Sequence, residues 1–408
     1  MNKTKVLVAM SGGVDSSIAA WLMKKKRYDV QGIFLKCWSD TKNKITGECQ
    51  WRDERRYAIE VASKLNIPLA TLDLENEYKT QVVDEMFKKY KKGITPNPDV
   101  DCNEKVKFPL LIKALKKYKA DFLVTGHYAQ IKKTKNKCEL LRAKDESKDQ
   151  SYFLYRLTED ELKKCLFPIG DYTKKQIRKF AQKLKFSNYN KKSTVGICFI
   201  GKIKLKDFLQ KKIPPKAGNI LNPEGEIIGK HDGIFYYTIG QRIGPRFGIE
   251  VFRGEGTNDI KKWYVAKKDA KTNTIIAAPE GHPLLFRKEI WINNEHWINE
   301  KYEKEKVMEL KRFSQQKGER SEGDVGNSAF LGKVKILQIN NPKNFPLKKV
   351  FSRIRQVGEL LPSTISFDKK SKKYKVILKK AITGISEGQA IVLYKGKKCL
   401  GGGVISFN

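Results

Sequence analysis

Strand-like and helix-like runs alternate through the first third of the chain, and this alternation most constrains its fold. Apolar runs predict strands at KVLVAM (5–10), DVQGIFLK (29–36), IPLATLDL (67–74) and DFLVTG (121–126). The stretches between them, such as SSIAAWLMKKK and RRYAIEVASKL, space apolar residues by three and four, as amphipathic helices do. This order predicts an α/β fold with a doubly wound, mostly parallel sheet and a ligand site at the carboxyl ends of its strands.

The chain has 408 residues, more than one hydrophobic core usually spans. We predict a first domain at 1–203 and a small α+β central domain at 204–283, where Pro and Gly are frequent. We predict a C-terminal β-barrel at 284–408 from short alternating segments, among them KVMELKRF (306–313) and GKVKILQI (332–339). The polar stretch 314–328 is predicted to be a mobile loop of that barrel.

Charge points to a polyanionic partner. Lys and Arg number 83 against 45 Asp and Glu, a formal charge of +38. Such a field attracts nucleic acid. The alternative is a lysine-rich composition that spreads solvated charges over every surface, as KKKR at 24–27 and KKSKKYK at 369–375 suggest.

The cellular location of the protein and the redox state of its cysteines are indicated by features that the sequence lacks. It has no run of about 18 apolar residues, and its first predicted strand begins by Lys5, which leaves no room for a signal peptide. We therefore expect no membrane association and a cytoplasmic location. The seven cysteines form no CxxC pair and have no histidine at zinc-ligand spacing, so we expect reduced thiols and no metal site.

A glycine- and hydroxyl-rich turn, SGGVDSS at 11–17, separates the first strand from the first helix. A strand, a tight turn and a helix start aim several backbone N–H groups at one point, which favours phosphate oxygens. The turn matches neither GxxxxGK[ST] nor GxGxxG. Two glycines, three serines and an aspartate within seven residues exceed what a simple connection requires.

This turn resembles the pyrophosphate loop of the N-type ATP pyrophosphatases. Four further stretches resemble one family among them, the bacterial tRNA 2-thiouridylases (MnmA/TrmU). They are TPNPDVDCNEKVKF (95–108), VTGHYA (124–129), KDQSYFLYRL (148–157) and STVGICFIG (193–201), and YTIGQRIG and CLGGGVI extend the resemblance across the chain. The resemblance implies an adenylation domain, a central domain and a barrel that together grip the anticodon arm of tRNA.

The resemblance implies ATP and Mg²⁺ as cofactors, since the C2 oxygen of uridine must become an AMP ester before sulfur can replace it. The implied ATP-binding residues are Ala9, Met10, Ser11, Gly12, Gly13, Val14, Asp15, Ser16, Leu35 and Gly126.

The resemblance also assigns the sulfur chemistry. Cys198 corresponds to the cysteine that carries a persulfide, and Cys102 to the nucleophile that releases its outer sulfur. Asp99 is the candidate for proton transfer. Because Asp99 stands where an iron–sulfur cluster would need a third cysteine, we favour a cluster-free route. The other five cysteines are expected only to pack.

A wobble base must leave the anticodon stack to be modified. The implied contacts with the target base and with the rest of the tRNA are Asn97, Pro98, Asp99, His127, Lys148, Asp149, Gln150, Arg353, Ile354 and Gln389. His127 could instead cap a strand end. Gly401, Gly402 and Gly403 are expected to form a tight barrel corner.

Two other functions stay open. Another ATP pyrophosphatase, such as an amidating synthetase or a lysidine-forming enzyme, would share the turn but lack the cysteine pair. A non-catalytic RNA-binding protein would use only the charge. The sulfur donor, a cysteine desulfurase or a relay carrier protein, is not specified by the sequence.

Overall fold

A computed structural model of the chain describes residues 3–40, 49–135, 137–192, 196–200, 204–244, 262–299, 348–356 and 358–407. Within these ranges no helix combines the length and the apolar character that crossing a membrane requires.

The strands of the described residues form three sheets. In chain order, β1 to β18 are Lys5–Ala9, Asp29–Lys36, Leu69–Asp73, Phe122–Val124, Ala129–Thr134, Lys137–Arg142, Cys165–Leu166, Gly218–Leu221, Ile227–His231, Arg242–Ile243, Trp263–Asp269, Thr274–Pro279, Phe286–Trp297, Lys348–Arg353, Leu361–Asp368, Lys373–Thr383, Ala390–Lys395 and Lys398–Ser406. The first sheet is entirely parallel, with the order β3-β2-β1-β4-β7.

Helices cover both faces of this parallel sheet. In chain order, α1 to α9 are Val14–Lys25, Gln50–Lys64, Glu75–Tyr78, Asp84–Lys91, Pro98–Asp101, Phe108–Tyr118, Glu159–Lys163, Lys174–Lys183 and Leu205–Gln210. Side chains along β1 alternate between two cores, Leu7 in one and Val6 and Val8 in the other. This alternation is what a doubly wound sheet requires, because each face buries its own set of apolar residues.

Two helical segments contain a π-helical turn. The turn Lys79–Val83 joins α3 to α4, and the turn Cys102–Lys107 joins α5 to α6. The two turns pack against each other. An extra residue in a helical turn re-aims the side chains around it, and such turns are frequent at functional sites.

The C-terminal sheet closes into a six-stranded antiparallel barrel. Its order is β13-β16-β15-β14-β17-β18, and β18 pairs back with β13. The hairpin β5–β6 of the first domain extends this sheet, since Leu141 pairs with Lys398 of β18. Lys398 Nζ also lies 2.7 Å from Glu139 Oε1. The first domain and the barrel therefore share a sheet.

The central sheet has the order β10-β11-β12-β8-β9, and α9 precedes it. The predicted fold class, a parallel α/β sheet followed by a central domain and a β-barrel, is confirmed. The exact domain boundaries stay predictions. The strands predicted at 306–313 and 332–339 and the loop predicted at 314–328 lie outside the described residues.

The tight barrel corner at Gly401, Gly402 and Gly403 stays a prediction, and Gly401 has a φ of +135°. All three residues lie within β18. A Cβ at Gly402 would lie 2.1 Å from the carbonyl oxygen of Ile391, so neighbouring β17 approaches too closely for a side chain.

Candidate active site

The Ser11–Ser16 turn follows β1 at the carboxyl edge of the parallel sheet. Ser16 Oγ accepts the N–H of Ser11 at 3.1 Å and donates to the carbonyl of Gly13 at 3.0 Å. No side chain caps the amino end of α1. The N–H groups of its first turn therefore point toward the site where the sequence predicts phosphates, which stays a prediction.

Two glycines let other segments approach the turn. Gly12 has φ +73°, and a Cβ on it would lie 2.1 Å from the carbonyl oxygen of Glu54. A Cβ at Gly126 would lie 2.7 Å from the backbone nitrogen of Ser16. A side chain at either position would displace the turn, because its backbone neighbours cannot rotate away.

Asp15 is held in a fixed orientation. Lys174 Nζ, from α8, lies 2.6 and 2.7 Å from its two carboxylate oxygens, and Tyr128 donates its hydroxyl at 2.9 Å. Lys174 is a residue that sequence reasoning missed. It brings a positive charge to the turn that is expected to hold phosphates.

The side chains of the remaining residues of the predicted ATP site are mostly buried in the cores, so these residues would present mainly backbone atoms to a nucleotide. Met10, Val14 and Leu35 are buried in the cores on the two faces of the sheet, and Ala9 is partly buried. The N–H of Met10 already donates to Ile33 at 2.8 Å. The predicted adenine neighbour Leu35 is fully packed in the described structure.

Cys102 begins the second π-helical turn and is completely buried. The preceding helix α5 starts at Pro98, and Asn97 caps it by accepting the N–H of Val100. Asp99 and Cys102 are three positions apart, so they lie on one side of this segment.

Cys198 reaches the same place from a tight turn. Its neighbours Gly196 and Phe199 have φ values of +122° and +65°. Asp99 accepts the backbone N–H of Cys198 at 2.8 Å, and Tyr78 donates its hydroxyl to the carbonyl of Cys198. These bonds hold the turn against the helix that carries Cys102.

Cys102 and Cys198, 96 positions apart in the sequence, lie close enough for each thiol to shift the pKa of the other. The hydrogen bond from Cys102, together with the positive charge of Lys107, lowers the pKa of Cys198 to about 7. Burial and the hydrogen bond to Cys198 raise the pKa of Cys102. Cys198 is therefore the more acidic thiol of the pair and Cys102 the less acidic one.

Asp99 is also electrostatically perturbed. Burial raises the pKa of its carboxyl, while the N–H of Cys198 and the charge of Lys107 oppose this shift. A carboxyl with a raised pKa, next to two thiols, is a candidate for proton transfer.

The other cysteines are structural in the described residues. Cys37, Cys138, Cys165 and Cys399 are buried, and burial raises the pKa of each thiol. Cys49 donates its thiol to the carbonyl of Ser39 at 3.0 Å.

A pocket of about 400 Å³ opens beside the cysteine pair. Residues of the first domain and the barrel line it, among them Asn97, Pro98, Asp99, Ile197, Arg355 and Gln389. Gln389 Nε2 donates to the carbonyls of Thr95 and Pro96 at 3.0 and 2.7 Å, which ties the barrel to the segment before Asn97. Asp99 and Ile197 place the pocket directly next to Cys198.

Asp149 and Arg353, predicted to contact tRNA, are instead buried against each other. Arg353 NH1 lies 2.6 Å from Asp149 Oδ2, and their side chains are 4% and 0% exposed. Ile354 is buried as well. These three side chains cannot touch tRNA in this structure, because the interface between the first domain and the barrel covers them.

The neighbours of Asp149 differ from it. Lys148 is exposed and available to a ligand. Gln150 exchanges two hydrogen bonds with the backbone of Tyr128, one through its side chain at 2.9 Å and one through its N–H at 2.7 Å. Tyr128 also holds Asp15, so Gln150 supports the phosphate turn.

His127 is not among the residues that line the pocket. Its ring stacks on Phe108 at 5.6 Å between centroids, and Nδ1 is 2.7 Å from Thr125 Oγ1. Burial, and then the charge of Lys107, lower the pKa of His127, so its ring is neutral. The strand-end alternative describes its position better than the base-pocket prediction does.

Sequence reasoning missed Arg355 as well as Lys107. Arg355 is exposed, lines the pocket and donates to the carbonyls of Thr383 and Gly384 at 3.1 and 3.2 Å. Strand alternation in FSRIRQV does not indicate it, because positions 353 and 355 would share one face, whereas Arg353 is buried and Arg355 is exposed. Within the described residues, no group of three or more His, Cys, Asp or Glu side chains could hold a metal ion.

Comparison with known families matches three segments in the order of the three sheets. A model described as "tRNA methyl transferase HUP domain" matches residues 4–202, and "tRNA methyl transferase PRC-barrel domain" matches 206–279. "Aminomethyltransferase beta-barrel domain" matches 333–405.

Similar proteins include curated ones that match over nearly the whole chain. The tRNA-specific 2-thiouridylase MnmA 1 of Geobacillus kaustophilus is 37% identical over 99% of this chain and 96% of its own length. The tRNA-specific 2-thiouridylase MnmA of Bacillus subtilis is 36% identical over 98% of this chain and 95% of its own length. A solved structure, the U34-tRNA thiolase NcsA of Methanococcus maripaludis, is 18% identical over 52% of this chain and 69% of that one, with a TM-score of 0.33, too weak a likeness to bear on function. The full-length identities establish that the chain belongs to the family of tRNA-specific 2-thiouridylases and is a tRNA sulfurtransferase enzyme.

Proposed function

We propose that the chain uses ATP to adenylate the C2 oxygen of the wobble uridine in tRNA and then replaces that oxygen with sulfur from a cysteine persulfide. The products are 2-thiouridine, AMP and pyrophosphate. The observation that carries the proposal is that the turn of Cys198 packs on the segment of Asp99 and Cys102, beside a pocket of about 400 Å³. Two neighbouring thiols can deliver sulfur and then close a disulfide.

The Ser11–Ser16 turn supports the ATP half of the reaction. Its unpaired N–H groups, the close approach of Gly126 and the charge of Lys174 fit the phosphates of a nucleotide. ATP supplies the activation that turns a poor leaving group into AMP. Since the described residues contain no metal-ligand cluster, Mg²⁺ would be held mainly by phosphate oxygens and water.

The pocket supports recognition of the target base. Its volume lies within the range of small-molecule sites, and a base splayed out of the anticodon loop is a ligand of that class. Asn97, Pro98 and Asp99 form the wall nearest the cysteines. Gln389 and Arg355 complete it from the barrel, so the base and the rest of the anticodon arm would contact different domains.

The sulfur half proceeds in three balanced steps. The Cys198 thiolate attacks the outer sulfur of a donor persulfide, and the donor leaves as a thiolate. Cys102 gives its proton to Asp99 and attacks the inner sulfur of the Cys198 persulfide, which forms the Cys102–Cys198 disulfide and expels hydrosulfide. Hydrosulfide then attacks C2 of the adenylated uridine, AMP leaves, and the proton of the incoming sulfur passes to water.

Two external partners follow from this balance. A persulfide-bearing protein, either a cysteine desulfurase or a relay carrier, must supply the sulfur. A thiol reductant must reopen the disulfide before the next turnover. Such a cycle suits the reducing cytoplasm, where we expect the protein to work.

The test combines the purified chain with ATP, a persulfide donor and a tRNA whose wobble position is uridine. We expect pyrophosphate only when that tRNA is present, and a thiolated product that is retarded in a mercury-containing gel. The matched control is the same tRNA with cytidine at the wobble position. Pyrophosphate without thiolation would favour another ATP pyrophosphatase, and tRNA binding without pyrophosphate a binding protein.

A further inference from the structure

Lys107 directs its ammonium group at the sulfur of Cys198. Its Nζ lies 3.5 Å from Cys198 Sγ and 5.3 Å from the centroid of the Phe199 ring. In the described part of the chain, no carboxylate lies within ion-pair distance of Lys107, whereas the nearby Lys105 pairs with Asp101. The positive charge of Lys107 is therefore not neutralised by a salt bridge.

The local fold accounts for this position. Lys107 is the last residue of the π-helical turn that Cys102 begins. It is half-buried, and the next residue, Phe108, is completely buried against His127. The π-helical turn that positions Cys102 therefore also positions the ammonium group of Lys107 next to the thiol of Cys198.

We propose that Lys107 holds Cys198 as a thiolate, so that Cys198 rather than Cys102 receives sulfur from the donor. This role rests on the proposed persulfide reaction and goes beyond it, since it names the group that decides which cysteine is loaded.

The other groups around Cys198 show why a cation is needed there. Asp99 accepts its N–H and places a carboxylate nearby, which disfavours a second negative charge. Burial disfavours it as well. Tyr78 and Cys37, which also lie near Cys198, have pKa values that burial raises, so both stay neutral. The hydrogen bond from Cys102 and the charge of Lys107 oppose these effects.

A second consequence concerns the order of events. While Cys198 carries the negative charge, Cys102 stays protonated as its hydrogen-bond donor. Once Cys198 has taken up the outer sulfur, its inner sulfur is no longer charged and no longer needs that donor. The charge of Lys107 then favours ionisation of Cys102, the nucleophile of the next step. One cation would serve the two thiols in turn.

The first test measures the reactivity of Cys198 without ATP, tRNA or a sulfur donor. The full chain is alkylated with iodoacetamide over a range of pH, and the Cys198 peptide is quantified by mass spectrometry. We expect a midpoint of about 7 in the wild type. For Lys107→Met we expect a midpoint about one unit or more higher, which lowers the alkylation rate about fivefold at neutral pH.

Two variants serve as controls. Lys107→Arg keeps the charge and should keep the midpoint near that of the wild type. Lys113→Met removes an exposed lysine from α6, farther along the same helical segment, and should leave the midpoint unchanged. If Lys107 acted only by packing, the alkylation midpoint of Cys198 would not depend on whether the replacing side chain, Arg or Met, is charged.

The second test feeds each variant a low-molecular-weight persulfide and follows labelled sulfur on Cys198. We expect Lys107→Met to load about fivefold more slowly than the wild type at neutral pH and to approach the wild-type rate at about pH 9, where the thiol ionises unaided. Recovery with pH separates a missing charge from a damaged fold.

An unchanged Cys198 midpoint in folded Lys107→Met would overturn the proposal, and so would faster labelling of Cys102 than of Cys198. If the variants do not fold, the alkylation midpoint of the wild type still tests the proposal. A Cys198 midpoint at or above the ordinary thiol pKa of about 8.5 would contradict it. If tRNA thiolation is absent but the midpoint depends on Lys107, the assignment of the thiolate stands and only the proposed function fails.

Discussion

Arg353 and Asp149 form a buried ion pair between the barrel and the first domain, with 2.6 Å between NH1 and Oδ2. Ser151 donates its hydroxyl to the same carboxylate oxygen at 2.8 Å, and the Ser151 hydroxyl lies 3.1 Å from that of Tyr394. The guanidinium also lies 5.4 Å from the centroid of the Tyr394 ring. This network connects the end of β14 to the segment that follows β6.

We expect Arg353→Ala to destabilise the protein, because it leaves the buried carboxylate of Asp149 with only the more distant Arg142, whose Nε lies 4.0 Å from Oδ2, as a charged partner. The expected loss is about 2 kcal/mol of unfolding free energy, measured by urea denaturation. Lys163→Ala, which removes an exposed ion pair with Asp160, should have no measurable effect. If Arg353→Ala instead weakened tRNA binding at unchanged stability, Arg353 would be a direct tRNA contact.

The phosphate turn is tested by Ser11→Ala and Asp15→Ala. Both should abolish tRNA-dependent pyrophosphate release. Ser11→Ala removes the hydroxyl that accepts the N–H of Gly13 and lies 3.2 Å from Ser16 Oγ, and Asp15→Ala removes the carboxylate that Lys174 and Tyr128 fix. Circular dichroism should show an intact fold, because both side chains lie at the surface of the sheet edge. Ser147→Ala, in an exposed turn, is the control. Normal turnover in both variants would remove the ATP assignment.

The two cysteines should fail at different steps. Cys102→Ser and Cys198→Ser should both release pyrophosphate, because the ATP turn uses neither thiol. Given a persulfide donor, Cys102→Ser should retain labelled sulfur on Cys198, and Cys198→Ser should retain none that it can transfer. Peptide mapping of the wild type after one turnover without reductant should find the Cys102–Cys198 disulfide. Stable label on Cys102 in Cys198→Ser would reverse the roles, and Cys49→Ser should behave as the wild type.

The pocket wall from the barrel is tested by Arg355→Ala. We expect weaker tRNA binding and unchanged thermal stability, since Arg355 is exposed and donates only to two carbonyls of its own domain. If Arg355 contacts a phosphate, the slope of log affinity against log salt should become shallower by about 1. Lys370→Ala, on an exposed turn of the barrel, provides the comparison. Equal affinities for wild type and Arg355→Ala would remove Arg355 from the tRNA site.

The net charge of +38 makes a separate prediction for the wild type. If lysine and arginine contacts with phosphates carry binding, log affinity for tRNA should fall linearly with log salt concentration. Filter binding over a series of KCl concentrations measures this slope. A flat response would mean that the basic residues reflect composition alone.

Sequence-based prediction was most accurate for elements whose secondary structure is determined by their own residues. DVQGIFLK at 29–36 became β2 with the predicted bounds, because a central parallel strand is apolar on both faces. The hairpin of β5 and β6 was missed, since its exposed lysines at 132 and 133 hide the alternation, and the partner that orders it lies near the other end of the chain.

The candidate site was only partly predictable for the same reason. The motifs around Cys102 and Cys198 identify both residues as candidates, but the local sequence does not predict that they lie close together in the fold. Lys107 carries no signal of its own in a chain with 83 Lys and Arg residues. Asp149 and Arg353 look like surface charges until a distant partner covers them, and only the tertiary structure supplies that partner.

The sheet shared by the hairpin and the barrel affects how the protein is made. Glu139 and Lys398 pair although 259 positions separate them, so β6 is synthesised long before β18, its partner in the sheet. Until then the hairpin has an exposed edge, and the growing chain depends on its other contacts to avoid aggregation. The pocket wall from Arg355 and Gln389 is also synthesised late. A nascent chain that already has its phosphate turn and both cysteines would therefore still lack a complete binding pocket, and catalysis would begin only after the barrel has been synthesised.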